Sequence, residues 1–274
     1  MTAIPKKPVR SRDTGATWRR ALMISFLIIA LAATVYATQQ IELFLIRDQR
    51  FTLTPPAEYG EESPALNVTG IKFASRSQVL RVFQQDVGRS LYLFPIKDRY
   101  QTLIHIPWVK EASILRTWPN RISVKITERR PVAFIESRSK SISRWSLIDD
   151  EGVILEPPPR TTFDVPVVTG IRAGDTRSMR GMRMRRMMRM LDELGASRDR
   201  ISEVDVADLD DLRVTLKVDH KAIVLMLGDH DFQKRFQNFL DHYANIQKRI
   251  SDVTALDLRL DNRIITVVSG ANHE

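Results

Sequence analysis

Five histidines, at positions 105, 220, 230, 242 and 273, are the side chains best fitted to bind a metal or relay a proton. None stands at ligand spacing: His230 and His242 are twelve residues apart, and no H-E-x-x-H run occurs. There is no cysteine, which removes thiolate ligands, disulfides and a thiol nucleophile. A phosphate-cradling Walker loop, a nucleophile elbow and a glycine-rich dinucleotide turn are also absent from the sequence. Acidic residues gather at Asp149, Asp150 and Glu151, and at Asp208, Asp210 and Asp211. Both groups border turn signals, where exposed carboxylates are ordinary. The expectation is a protein without catalytic residues, cofactor, metal site or small-molecule substrate.

Charge offers a second kind of chemistry. The formal net charge is +9, but it is local. Residues 1–20 hold six basic groups against Asp13, and residues 172–190 hold seven arginines against Asp175, which leaves the rest slightly acidic. Few aromatics accompany either cluster, so nucleic-acid binding is not expected. Between Met179 and Met190 the pattern is that of a helix, with Met184, Met187, Met188, Leu191 and Leu194 on one stripe. Two readings stand for Arg183, Arg185, Arg186 and Arg189. They are the exposed face of an amphipathic helix whose thioethers fill a gap against a sheet, or a cationic surface for acidic lipid, wall polymer or an acidic partner.

The elements that would position such groups begin with a membrane segment. Ala21 to Gln40 carries no formal charge, and at helical rise it spans roughly 30 Å, about one hydrocarbon core. Trp18 and Tyr36 sit near its ends, as interfacial aromatics do. The basic tail of residues 1–20 predicts a cytoplasmic N-terminus and an exported remainder. A cleaved signal peptide, ending near Val35-Tyr36-Ala37, is the competing reading, and both readings export the same residues. The helix is expected to be able to run on from Gln39 to Phe51. Prolines 55, 56 and 64 then mark residues 41–64 as a linker.

Residues 65–130 read as one module. A strand from Ala65 is interrupted at Gly70, and Ser75 with Gln78 forms a capping-box pattern ahead of Val79, Val82 and Phe83. A second helix carries Ile96, Tyr100, Leu103 and Ile104 on one face. A strand over 109–118, a turn at Pro119-Asn120, and alternation of Ile122, Val124 and Ile126 complete a βααββ order. Trp108, Trp118 and Pro119 are expected to serve core and turn rather than contact.

Residues 131–270 read as strands around two helices, followed by a tail at 271–274. Strands at 145–149 and 153–156 flank the Asp150-Glu151-Gly152 turn, and a further strand ends before Gly170. Leu212 to Val218 and Ile223 to Leu227 alternate. Asp231 to Lys248 carries Phe232, Phe236, Phe239 and Tyr243 on one stripe, ahead of final strands at 253–260 and 264–268.

Several phrases then carry a resemblance. GRSLYLFPI from Gly88, IPWV from Ile106, ASILRTWPN from Ala112 and VKITERRPVA from Val124 stand in order and at family spacing. They resemble the FtsQ/DivIB cell-division family, whose pattern runs G-x-N-L-F, L-P-W-V, V-x-R-x-W-P-N and E-R-x-P-V-A. Departures are Ser-Leu-Tyr at 90–92 and Ile106 before Pro107. The strand VTALDLRL from Val253 resembles the family's V-D-x-R-Y strand, with Leu260 in place of the tyrosine.

The resemblance implies an α+β fold: an N-terminal transmembrane helix, a βααββ POTRA domain, then a mixed antiparallel β-sheet domain with flanking helices. It implies a non-enzymatic scaffold at the division septum, in the inner membrane with its folded part periplasmic. The partners it implies are FtsB- and FtsL-like bitopic proteins and other division components. By the resemblance, Asp257, Leu258, Arg259 and Leu260 lie in the partner-contact strand. Ile264, Ile265, Thr266 and Val267 are the inferred free edge for β-augmentation. Glu128, Arg129 and Arg130 are a possible second docking surface, a hinge, or a solvated charge run. A POTRA chaperone or translocation subunit for outer-membrane clients is the alternative function.

Overall fold

The computed structural model describes residues 14–55, 63–139, 142–218, 221–249, 254–260 and 263–267. Its first helix, α1 (Thr14–Arg47), carries no charge from Ala21 to Gln40, and Trp18–Arg47 is long and apolar enough to cross a membrane once. The βααββ order follows as β1 (Leu66–Thr69), α2 (Arg76–Phe83), α3 (Ile96–Ile104), β2 (Val109–Thr117) and β3 (Arg121–Glu128). These strands form a sheet ordered β1-β3-β2. The expected alternation holds, since Ile122, Val124 and Ile126 are all buried. β1 stops at Thr69 because Gly70 adopts φ +85, and a Cβ there would collide with the Ile126 carbonyl oxygen.

By compactness the chain parts into two units. The first takes α1 and the residues after it to 68, 80–99 and 113–124. Here the segment read as a linker is partly tied down. The Leu53 N–H donates to the Arg89 carbonyl and the Leu53 carbonyl accepts from Gly88, both at 2.9 Å. The Ser90 hydroxyl donates to the Leu45 carbonyl at 2.7 Å. Phe51 stands edge-on to both Phe44 and Trp118, with centroids 5.6 and 5.5 Å apart. Trp118 nevertheless remains 49% exposed, so it is not the core residue expected of it. Buried Asp86 takes a two-pronged bond from Arg99, at 2.6 and 2.9 Å.

The second unit comprises 69–79, 100–112 and the described residues from 125 onward. Its strands are β4 (Pro131–Ser139), β5 (Ile142–Asp149), β6 (Ile154–Leu155) and β7 (Val167–Thr169). After α4 (Arg177–Leu194) come β8 (Ile201–Asp205), β9 (Leu212–Val218) and β10 (Lys221–Gly228). After α5 (Phe232–Arg249) come β11 (Ala255–Asp257) and β12 (Ile265–Val267). Among the described residues these make one sheet, ordered β12-β11-β10-β9-β8-β7-β4-β5-β6. The sheet is mixed: β10 with β11, β4 with β7 and β7 with β8 run parallel.

Two cores hold this unit. On one face Met184, Met187 and Met190 of α4 and Phe232, Phe236 and Phe239 of α5 pack with the inward residues of the sheet. Each fully buried side chain of this size contributes about 1.5–3 kcal/mol. Met190, absent from the expected stripe, is wholly buried. The other face, at the β4–β5 end, packs Leu147 and Leu155 with Ala74 and Trp108, while Phe73 and Phe163 lean against them. The Trp108 indole N–H donates to the Glu156 carbonyl at 2.9 Å, so this tryptophan is core as expected.

Candidate functional site

The C-terminal strands bring the resemblance-derived residues to one end of the large sheet. β12 pairs antiparallel with β11, through Ala255 with Val267, Leu256 with Thr266 and Asp257 with Ile265. No strand follows β12 in the order of described strands. Backbone directions follow from alternation along a strand. The Leu258 N–H reaches the Met226 carbonyl and the Thr254 carbonyl accepts from Val224, so Thr254, Leu256 and Leu258 address β10. Ala255 and Asp257 therefore address β12, and their partners Val267 and Ile265 face inward. Thr266 is the strand residue whose N–H and carbonyl point outward.

The side chains sort just as sharply. Leu258 is 1% exposed and belongs to the main core, so it is not a contact residue as expected. Ile264 packs against the same core, Thr266 is half-buried, and Leu260 and Ile265 are exposed. Arg259 is exposed but engaged. Its guanidinium lies 2.6 Å from Asp257 and 3.5 Å from Asp211. Hydrogen bonding to Asp257, then the charge of Asp211, holds the guanidinium still more firmly protonated than usual. The bond from Arg259 also holds Asp257 below the ordinary carboxylate range. Asp211 stands just before β9, forty-eight positions earlier in sequence, and the β9–β10–β11 register delivers it here.

Glu128, Arg129 and Arg130 do not form one charged surface. Glu128 Oε1 accepts from three consecutive backbone N–H groups, of Lys72, Phe73 and Ala74, at 2.9, 2.8 and 2.7 Å. Arg129 is buried, and one of its terminal nitrogens lies 2.6 Å from Asp149 and 2.8 Å from Glu151. Burial alone would lower the Arg129 pKa, but the bonds to Glu151 and Asp149 outweigh it and raise it. Arg130 alone of the three is exposed. Asp149 is not an exposed turn carboxylate either. It is 1% exposed and also accepts from the N–H groups of Glu151 and Val153, at 3.0 and 2.7 Å. Glu151 collects Arg129, Lys110 and Arg177, which hold its carboxyl below the ordinary range, Arg129 first among them.

The α4 arginines divide as well. Arg183 is buried, donates to the Val206 and Ala207 carbonyls and lies 3.6 Å from Asp175, so it takes no part in a cationic surface. Arg186 donates to the Asp229 carbonyl and lies over the Phe232 ring. Arg189 pairs with Glu193 one turn on, at 3.1 Å, and Arg185 is exposed. The side chains that do chemistry in this fold mostly satisfy one another. No group of three or more potential metal ligands occurs among the described residues.

Comparison with known proteins bears on these strands. The family model described as "POTRA domain, FtsQ-type" matches residues 65–129. The one described as "Cell division protein FtsQ/DivIB, C-terminal" matches residues 139–259. The chain is similar to the cell division protein FtsQ of Koribacter versatilis, with 35% identity over 75% of this chain and 60% of that protein. The chain is also similar to FtsQ of Myxococcus fulvus, with 31% identity over 45% of this chain and 41% of the relative. For FtsQ of Geotalea daltonii the identity is 24% over 73% of each. The chain thus spans less than two thirds of the length of the first two relatives.

Proposed function

This chain belongs to the FtsQ/DivIB family of cell division proteins, and on that premise we propose that it is a non-enzymatic assembly protein of the division machinery. In this reading α1 anchors it in the inner membrane with the N-terminus cytoplasmic. The POTRA-type module and the large sheet work in the periplasm at the septum. Bitopic partners of the FtsB and FtsL type dock there by adding a strand to β12.

The observation that carries the reading is the place of β12, at the end of the sheet order with the Thr266 backbone groups pointing away from β11. An added strand satisfies those groups, and its alternate side chains meet the exposed Ile265 on one face and the α5 side on the other. The chaperone alternative has no comparable support, since the C-terminal match runs over residues 139–259 and includes β11 and Arg259.

The test uses the register. Ile265 spends its N–H on β11, so proline there damages the protein's own sheet. Proline at Thr266 removes an outward donor and leaves the inner ladder intact. Full-length Thr266→Pro is expected to retain its circular dichroism yet lose co-purification of co-expressed FtsB- and FtsL-like proteins. Unchanged capture by the folded variant would place the partner elsewhere. Arg259→Gln is the cleaner probe of the charged residue, because Arg259→Glu would crowd a third carboxylate against Asp257 and Asp211.

A further inference from the structure

The opposite end of the large sheet holds a second open edge. β6 pairs with β5 only at Leu147 with Leu155 and Ile148 with Ile154, so Ile142 to Ser146 have no described strand on their outer side. The direction of the backbone groups is fixed at both sides of the hairpin. The Asp149 N–H donates to the Val153 carbonyl on the outer side, and the Phe134 N–H donates away from β5, to the Pro166 carbonyl. With Ile148 opposite Ala133 and Ser146 opposite Ile135, the even-numbered residues of β5 address β4. Ser143 and Trp145 therefore present both N–H and carbonyl outward, with no described strand to receive them.

Sheet edges in soluble proteins are commonly blunted by charge, bulge or cover. This one carries Trp145, 58% exposed, on the face shared with buried Leu147. A large exposed indole beside ladder groups that no described strand receives is the composition of a binding hot spot rather than of a protected edge. The neighbouring Arg144 is exposed on the opposite face. From Ser137 to Arg144 the sequence has three basic residues and no acidic one. Pairing of this edge with a second copy would bring the two Arg144 side chains to one ladder, like charge beside like charge, which argues against that occupant.

We propose that the outer edge of β5, over Ser143 to Ser146, is a strand-addition site for an extended acidic segment of a partner protein. The added strand takes the outward groups of Ser143 and Trp145, lays an apolar side chain on the indole, and brings carboxylates to Arg144 on the other face. This site lies at the far end of the sheet order from β12, so the chain can hold two strands at once and bridge two partners.

The test uses the full chain in detergent micelles and fluorescence anisotropy of a labelled heptapeptide, Glu-Val-Glu-Phe-Glu-Val-Glu. Wild type and Thr266→Pro are expected to bind it alike. Ser143→Pro removes only an outward donor and Trp145→Ala removes the indole; each is expected to weaken binding roughly tenfold or more. The charge-reversed peptide, with Lys for Glu, is expected to bind at least about tenfold more weakly than its acidic parent. Circular dichroism checks the fold of Ser143→Pro, and Trp145→Ala serves alone if that variant unfolds. No saturation by roughly 1 mM peptide overturns the proposal, as does equal binding by folded Ser143→Pro or by the basic peptide. Loss of binding in Thr266→Pro would assign the peptide to the β12 edge. A wild-type dimer that Ser143→Pro dissociates would make the occupant a second copy.

Discussion

Truncating Arg129 to alanine is the sharpest single perturbation of this fold. Arg129 is 8% exposed, and its guanidinium neutralises Asp149, which is 1% exposed, while also reaching Glu151. Without it the Asp149 carboxylate keeps only the Glu151 and Val153 N–H groups. Removing one partner of a buried ion pair costs about 3–5 kcal/mol, because the other charge stays desolvated and unmatched. For a unit of this size, each kcal/mol lowers the melting temperature by about 2–4 °C, so a fall of about 6–20 °C is expected. Arg129→Lys should lie between, since an ammonium lacks the planar fork that serves two carboxylates. Exposed Arg130→Ala is the internal control and should change stability by no more than about 0.5 kcal/mol. The assay is urea and thermal unfolding of the detergent-solubilised chain, followed by tryptophan fluorescence, with the Trp108 carbonyl accepting from the Arg129 N–H at 2.9 Å. Equal melting temperatures for Arg129→Ala and Arg130→Ala would refute the reasoning.

The buried Arg183 sets a second contrast: Arg183→Ala should cost about 2–4 kcal/mol by leaving the Val206 and Ala207 carbonyls short of a donor and buried Asp175 without this neighbouring charge, whereas exposed Arg185→Ala should be near neutral in the same unfolding assay. Acid should act through Glu151 and Asp257, both of which are lowered in the fold from ordinary values of 4.5 and 3.8. A depressed carboxyl stabilises the folded state above its unfolded pKa and loses that contribution as pH falls through the folded one. Stability is therefore expected to hold from neutrality to about 4.5 and to decline below it. Arg129→Ala should flatten the Glu151 part of that decline, and an unchanged acid profile in this variant would contradict the pairing.

Runs and alternations were legible in the chain because they report one element at a time. The uncharged stretch from Ala21 required a long apolar helix, and α1 is that helix. The period-two spacing of Ile122, Val124 and Ile126, and of Leu212, Val214 and Leu216, named the buried face of each strand. The aromatic stripe of α5 did the same at helical period. What failed were inferences from residue type alone. Arg183, Arg129 and Asp149 looked like surface charges, yet each is buried against a partner at least twenty positions away or against carbonyls of another element. Leu258 looked like a contact residue and is core. Burial and pairing of a charge depend on what another part of the chain brings opposite it, which no local pattern records.

The sequence by itself determined the membrane-length helix, the βααββ order, the strand faces and the family phrases, since local sterics and hydrophobic period fix these. Only the tertiary structure decided that β10 and β11 run parallel, and hence that Asp211 meets Arg259. It alone decided that Thr266, rather than Ile265, turns its backbone outward, and that β5 leaves a second edge beside Trp145. Strand order and the direction of each N–H depend on pairing between segments far apart in the chain. That pairing is a property of the folded sheet, and any one strand read alone is compatible with either face of its ladder.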